Sequence, residues 1–288
     1  MEQETRSAGY KKTEAARRLD SAAGDDRQFV NALARGLEVL RCFQPGRAHL
    51  GNADLSRLTG FPKPTVSRLT HTLMKLGYLR FSDDMRKYEL ASGVLGLGYS
   101  MLANLDVRNL ARPAMQELAE YSRVSVAIGV RDRLSMIYVE TCRSSARVTL
   151  RLDVGSRIPL ATTSMGKALL CGMSDRERNG VMDEIRRADK DNWPRIRADL
   201  DKAFDHYDAH GFCIALGEWQ PEIRAVGVPL VGVGGEKQMA FNCGGPAYLL
   251  AHDKLKHDIG PRLKALVGDV ERDLGRLPRY NKEGRCDA

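Results

Sequence analysis

The chain has 288 residues, 43% hydrophobic and 28% charged, and Lys plus Arg outnumber Asp plus Glu by 45 to 37, for a net charge of +8. That is enough apolar material for two domains, and the basic excess suits a polyanion partner without requiring one. No apolar run approaches the ~20 residues that span a bilayer, and residues 1–26 contain no apolar core of a signal peptide, so a cytoplasmic protein with no membrane partner is expected.

The pattern predicts a disordered tail over 1–26, then a first helix from Arg27 to Phe43 with Val30, Leu33, Leu37 and Leu40 on one face. The segment NADLSRLTGFPKPTVSRLTHTLMKLGYLRFSDDMRKYEL, residues 52–90, reads as two short helices around a tight turn followed by a β-hairpin. Leu55 and Leu58 face inward on the first helix, and Gly60 supplies the positive φ that ends it. Pro62 and Pro64 suit the turn and the first helical position. The second helix, Pro64 to Leu76, carries an apolar stripe of Val66, Leu69, Leu73 and Leu76. Ser67, Arg68, His71 and Lys75 point the other way, flanked by Thr65 and Thr72. The hairpin turns at Ser82-Asp83-Asp84-Met85 and returns through Arg86 and Lys87.

This is the pattern of a winged helix-turn-helix, placed at 27–90, with double-stranded DNA as its partner. Arg can pair bidentately with guanine, and Ser and Thr can meet phosphates or base edges. Lys63 before the helix suits a phosphate, and the helix N-terminus attracts anions. The candidate DNA contacts are therefore Lys63, Thr65, Ser67, Arg68, His71, Lys75, Arg86 and Lys87. A merely solvated polar face is the rival reading, and for Arg86 and Lys87 soluble edge-strand charges explain the residues as well.

A small apolar stretch, LASGVLGLGYSMLANL, reads as a connecting helix at 91–105, and an α+β domain follows at 106–277 with a tail at 278–288. A helix opens at Arg112-Pro113 and runs through Tyr121. Strands are expected at Val124–Val130 and Leu134–Thr141, joined as a hairpin by Arg131-Asp132-Arg133, and at Arg147–Leu152. A helix over Ser164–Met173 follows a Gly- and Thr-rich loop, with further helices near Asp175–Arg186 and Ile196–His210. Strands follow at Phe212–Leu216, Arg224–Val231 and Gln238–Cys243, with a turn at Gly232–Glu236, and a long helix closes the domain at Asp253–Leu274. Hairpins with helices on one side suggest an α/β sandwich on an antiparallel sheet.

With both halves in view the chain resembles the IclR family of bacterial transcriptional regulators over about residues 27–277. Three segments carry the resemblance: LTGFPKPTVSRLTHTLMKLGYL, IPLATTSMGKALL and EIRAVGVPLVGVGGEKQMAFNCGGP. It implies a C-terminal effector domain similar to a GAF fold, and assembly as a homodimer or a tetramer built as a dimer of dimers. It also implies repression or activation controlled by a small molecule, often an organic or aromatic acid. In such regulators the TTSMGK loop offers backbone N–H groups to an anionic effector, which here places Ser164 and Met165 at the site, as the physics of a helix start allows. The family's acidic strand residue falls at Ala215, so that carboxylate is missing, and Glu218 is a candidate substitute. The position of a frequent cysteine falls at Ala225. Two polar positions on the last strand fall at Asn242 and Gly244, the second without a side chain. Trp219 and Met165 are candidate apolar walls. Capping, turn formation and surface charge are the plainer roles for Ser164, Gly244 and Glu218.

No catalytic, metal or cofactor site is expected. The six cysteines, Cys42, Cys142, Cys171, Cys213, Cys243 and Cys286, form no C-x-x-C pair and complete no zinc pattern with histidines. They read as reduced thiols. Two rivals stay open: a redox sensor using one thiol, and an enzyme pairing Cys213 or Cys243 with His206 or His210.

Overall fold

A computed structural model describes residues 27–145, 152–231 and 239–276. The chain divides after Asn104 into two compact units. The expected tails, the predicted strand at Arg147–Leu152 in all but its last residue, and the turn at Gly232–Glu236 lie outside the described residues.

The first unit starts with α1 (Asn31–Arg41), shorter at both ends than Arg27–Phe43. Of the predicted stripe Leu40 packs against the core, whereas Val30, Leu33 and Leu37 are exposed; Val39, and Cys42 and Phe43 just past the helix end, are the buried residues. α2 (Asn52–Thr59) follows, and the Asp54 carboxylate accepts from the Gly51 amide at 3.1 Å, satisfying one orphan donor of the helix start. Gly60 ends α2 at φ 74°, a left-handed conformation that a side chain would strain. Thr59 reinforces the corner: its hydroxyl donates to Leu55 O at 2.6 Å and accepts from Phe61 N at 3.2 Å.

α3 (Lys63–Lys75) begins one residue before the expected proline, with Pro64 in its first turn, where the missing N–H costs nothing. Val66 and Leu73 enter a core with Val39, Leu50, Leu55, Phe61, Leu79 and Tyr88. Leu76, predicted to share the stripe, is exposed instead. The helix stops at Lys75 and Gly77 turns at φ 76°, so Leu76 leaves the helical phase. β1 (Leu79–Ser82) and β2 (Lys87–Leu90) form the hairpin, antiparallel from Leu79 opposite Leu90 to Ser82 opposite Lys87. Leu50 adds a third rung through paired backbone hydrogen bonds with Tyr88. The connecting helix α4 (Ser92–Ala103) buries no residue, and its Leu95 and Leu97 are 73% and 62% exposed.

The second unit opens with α5 (Asp106–Ser122), which starts six residues before the Arg112 that sequence suggested. Pro113 lies inside it. A proline there forfeits a helical hydrogen bond at a cost of ~3 kcal/mol. Val107, Ala111, Met115, Leu118 and Ser122 form a continuous buried stripe across the proline, and this burial outweighs the local break. Buried Glu140 accepts from Arg108 and Arg112, one turn apart on α5, and ties the helix to the sheet.

The sheet has six strands, β3 (Ser125–Asp132), β4 (Ser135–Arg143), β5 (Arg157–Pro159), β6 (Cys213–Ala215), β7 (Ile223–Leu230) and β8 (Met239–Pro246), in the order β5-β4-β3-β8-β7-β6 and antiparallel throughout. β5 was not anticipated. Helices cover both faces, not one. Strand alternation sends Val126, Phe241 and Cys243 toward α5 and α10 (Gly260–Arg276), and Ala127, Asn242, Ala225 and Gly227 toward α6 (Ser164–Cys171). Behind α6 lie α7 (Asp175–Ala188) and α8 (Trp193–His210), sharing its core through Leu170, Val181, Ile185 and Leu200. The predicted closing helix is interrupted: a short α9 (His252–Lys254) passes through a π turn at Leu255–Ile259 into α10.

Candidate functional site

On the first unit the DNA-facing candidates gather as predicted on the outer side of α3. Lys63, Ser67, Arg68, His71 and Lys75 are exposed and Thr65 is partly so. Among the described residues none of Lys63, Arg68, His71 and Lys75 forms a side-chain hydrogen bond or ion pair, so these donors stand free for another molecule. Thr72 instead bonds back to Arg68 O at 3.0 Å. At the hairpin tip Arg86 holds a positive φ of 52° and its guanidinium lies 5.8 Å from the centre of the Phe81 ring. Lys87 is half-buried beside Asp54 and adds to the charge that keeps that carboxyl below its usual range, behind the Gly51 and Arg57 hydrogen bonds.

On the second unit the TTSMGK segment makes the start of α6. Thr163 caps it, accepting from Gly166 N at 3.3 Å while donating to Pro159 O at 2.7 Å. The amides of Ser164 and Met165 have no intrahelical acceptor at such a start. Close approach fixes the helix against the sheet. A Cβ at Gly227 would lie 2.2 Å from Ser164 O, and one at Gly166 would lie 1.9 Å from Leu160 O.

Seven of the eight predicted effector residues, Ser164, Ala215, Glu218, Trp219, Ala225, Asn242 and Gly244, line one cleft of about 360 Å³ counting its open mouth. Residues from α6, the β6–β7 loop, β7 and β8 meet here because Ala225 pairs with Gly244 and Gly227 with Asn242 across adjacent strands. Met165 is the exception. Its side chain packs over Gly129 in the core, so it is not an apolar wall. Ile158, Ile223 and Trp219 supply that surface.

Polar atoms in the cleft are left unpaired. Among the described residues Ser164 Oγ and Asn242 Oδ1 have no partner, although the two residues are only 1% and 7% exposed. Both residues line the cleft, so a water or a ligand there can answer these atoms. Asn242 Nδ2 does donate to the Tyr138 hydroxyl, at 3.3 Å.

Sequence reasoning missed two residues, Tyr138 and Lys167. Lys167 is buried at 1% exposure and its Nζ lies 2.6 Å from Glu218 Oε1. The other Glu218 oxygen accepts from Leu216 N at 2.5 Å. Burial pushes the Glu218 carboxyl up, but the Lys167 charge and these hydrogen bonds outweigh it and hold it below its usual range. The lysine stood in the TTSMGK motif, but nothing in the sequence pointed it at a residue 51 positions away. Tyr138 carried no signal beyond a strand position.

The nucleophile–base pairing is not formed. His206 Nδ1 is 2.8 Å from Phe212 O and its ring stacks on His210, 4.5 Å between centres. Cys243 bonds to Ser122, and burial pushes its thiol up to about 12. Cys213 touches Cys171, 3.5 Å between sulfurs; that hydrogen bond and burial push Cys213 well up. Shifts in this direction disfavour the thiolate that a nucleophile or a sensor needs. Among the described residues no group of three or more His, Cys, Asp or Glu side chains is arranged to hold a metal, and no helix is long and apolar enough to cross a membrane.

A winged helix-turn-helix followed in the chain by an antiparallel-sheet domain with a small cleft defines a two-domain DNA-binding regulator. The comparisons name the particular kind. The IclR helix-turn-helix domain matches residues 32–83 and the bacterial transcriptional regulator IclR C-terminal domain matches residues 99–272. The chain belongs to the IclR family of bacterial transcriptional regulators. It is 36% identical over 248 residues to the HTH-type transcriptional regulator TsaQ1/TsaQ2 of Comamonas testosteroni, covering 85% of this chain and 89% of the relative. It is 29% identical over 260 residues to the Pca regulon regulatory protein of Pseudomonas putida, covering 88% and 87%. Among solved structures, an IclR family transcriptional regulator from Brucella abortus matches with a TM-score of 0.80 and 48% identity, covering 86% of this chain and 94% of that one. An IclR homologue from Microbacterium hydrocarbonoxydans, solved in complex with 4-hydroxybenzoate, matches in fold with a TM-score of 0.65 at 21% identity, covering 85% and 100%.

Proposed function

We propose that this regulator binds a small organic carboxylate in the cleft of its second unit and that the ligand changes its affinity for a DNA operator. The observation that carries the reading is the unpartnered buried Ser164 Oγ at the start of α6, where the first amides have no intrahelical acceptor. Free helix N-terminal amides favour an anion. The cleft is tight, with a free volume of about 30 Å³, so its polar lining and not its size carries the reading. The 4-hydroxybenzoate bound by the Microbacterium homologue belongs to the same chemical class. Ala215 and Gly244 offer no polar side chain, so Ser164, Asn242 and the Lys167–Glu218 pair supply the polarity.

On DNA, α3 reads base edges through Arg68, with Ser67, Thr65 and His71 beside it, while Lys63, Lys75, Arg86 and Lys87 meet phosphates. The protein works in the cytoplasm as a homodimer or a dimer of dimers, as a two-fold operator requires of a module that reads few base pairs alone. The exposed apolar residues of α4, Leu95, Leu97, Tyr99 and Met101, fit a face covered by a second copy.

The test is a thermal-shift screen with small aliphatic and aromatic acids, each beside its primary amide, followed by operator gel shifts. A ligand that binds the folded state raises the midpoint by mass action. The acid of a pair should raise the midpoint more than the amide and should alter operator affinity. Amides that stabilise as well as their acids, or a ligand that leaves operator affinity unchanged, would sink the reading.

A further inference from the structure

We propose that Tyr138 and Asn242 form a hydroxyl-reading pair, so that the effector is a hydroxy acid and not a simple or oxo acid. This rests on the carboxylate reading of the cleft and adds the second functional group of the ligand.

The argument is a count of protons. Asn242 Nδ2 donates to the Tyr138 oxygen at 3.3 Å. The phenolic oxygen thus receives one hydrogen bond, and its own proton is left to be donated elsewhere. With the amide nitrogen set toward Tyr138, Asn242 Oδ1 is the atom left without a partner among the described residues. Two bonded side chains on the cleft wall therefore offer donors (the Tyr138 hydroxyl proton and the second Asn242 amide proton) and an acceptor (Asn242 Oδ1) side by side. A hydroxyl answers both, accepting from Tyr138 and donating to Asn242. A carboxylate has no proton for Oδ1, and neither a ketone nor an ether has one. Tyr138 stays protonated across the physiological range because burial pushes it up to about 12, against the smaller lowering by Asn242. Both residues are buried, so a polar group left unanswered there is costly.

The carboxylate end belongs to a different wall. The Ser164 hydroxyl and the amides of the α6 start can donate at that end, while Glu218 is occupied by Lys167 and Leu216. Ile158 and Ile223 contribute apolar surface, which leaves the polar reading to these two positions.

Calorimetric titration into the full-length protein tests this with two ligand sets. One is benzoate, 4-hydroxybenzoate and 4-methoxybenzoate. The other is butyrate, 3-hydroxybutyrate and 3-oxobutyrate. In at least one set the hydroxy acid should bind about ten- to hundred-fold tighter than its parent, the cost of leaving a buried acceptor unanswered. Tyr138→Phe should abolish that preference with the fold intact by thermal denaturation. Asn242→Leu should do the same from the other side of the pair. A parent, methoxy or oxo acid as the tightest ligand overturns the assignment, as does a hydroxyl preference that survives both substitutions. Failure of the carboxylate reading looks different: 4-hydroxybenzamide then binds as well as 4-hydroxybenzoate. Absence of binding by every member of both sets counts against both inferences.

Discussion

Lys167 and Glu218 are unequal partners, and the inequality predicts an asymmetric mutant cycle. The lysine side chain is 1% exposed and the glutamate 24%. In Glu218→Gln the ammonium loses its counterion and cannot reach water. Removing one member of a buried pair costs about 3–5 kcal/mol, and a glutamine that still accepts one hydrogen bond puts this case near the lower end. For a domain of 150–250 residues each kcal/mol moves the midpoint by roughly 2–4 °C, so about 3 kcal/mol gives a fall of about 6–12 °C. In Lys167→Met the exposed edge of Glu218 can turn to solvent, so the loss should be about 1–2 kcal/mol. Lys167→Met/Glu218→Gln should recover much of the Glu218→Gln deficit, because no unpaired buried charge remains.

The same pair sets a pH dependence. The Glu218 carboxyl is depressed in the folded state, burial being outweighed by Lys167 and the hydrogen bonds. Its contribution is therefore fully present above the unfolded carboxyl value of about 4.3 and is lost as pH falls through the lower folded value. Scanning calorimetry of the full-length variants across that range measures both effects. A Glu218→Gln midpoint within about 1 °C of the wild type at neutral pH would refute the reasoning, as would a double variant no better than Glu218→Gln.

On DNA, Arg68→Ala should cost roughly 1–3 kcal/mol on the specific operator and relax base preference, whereas Lys63→Ala should weaken all sequences alike and shallow the salt slope. Gel-shift titrations at two salt concentrations separate them, and unchanged operator affinity in Arg68→Ala would remove α3 from the groove. Gly227→Ala should impair ligand binding more than operator binding, because its methyl group would lie 2.2 Å from Ser164 O and displace the α6 start; equal ligand affinity in calorimetry would show that the start is not part of the site. Sedimentation at micromolar concentration should find an oligomer that Leu95→Glu and Leu97→Glu together dissociate, and a wild-type monomer would leave the exposed face of α4 unexplained.

The winged helix-turn-helix was legible in sequence because its signals are local. Gly60 demands a positive φ, Pro64 fits only an early helical position, and Val66 and Leu73 recur at helical spacing across 13 residues of α3. The cleft was legible in part, since its strand and loop positions could be matched to a known family. Where sequence failed, a distant partner decided. Pro113 reads as a helix start until the buried stripe from Val107 to Ser122 carries the helix through it. Leu33 and Leu37 read as core until Val39 and Phe43 take that place on the neighbouring face. Lys167 is an unremarkable lysine until the β6–β7 loop brings Glu218 to within 2.6 Å, and Tyr138 is a strand residue until β8, two strands away across β3, brings Asn242 beside it. Periodicity records which face of an element is apolar. Which polar atoms end up buried, and which of them lack a partner, depends on contacts between residues 51 and 104 positions apart, and only tertiary structure fixes those.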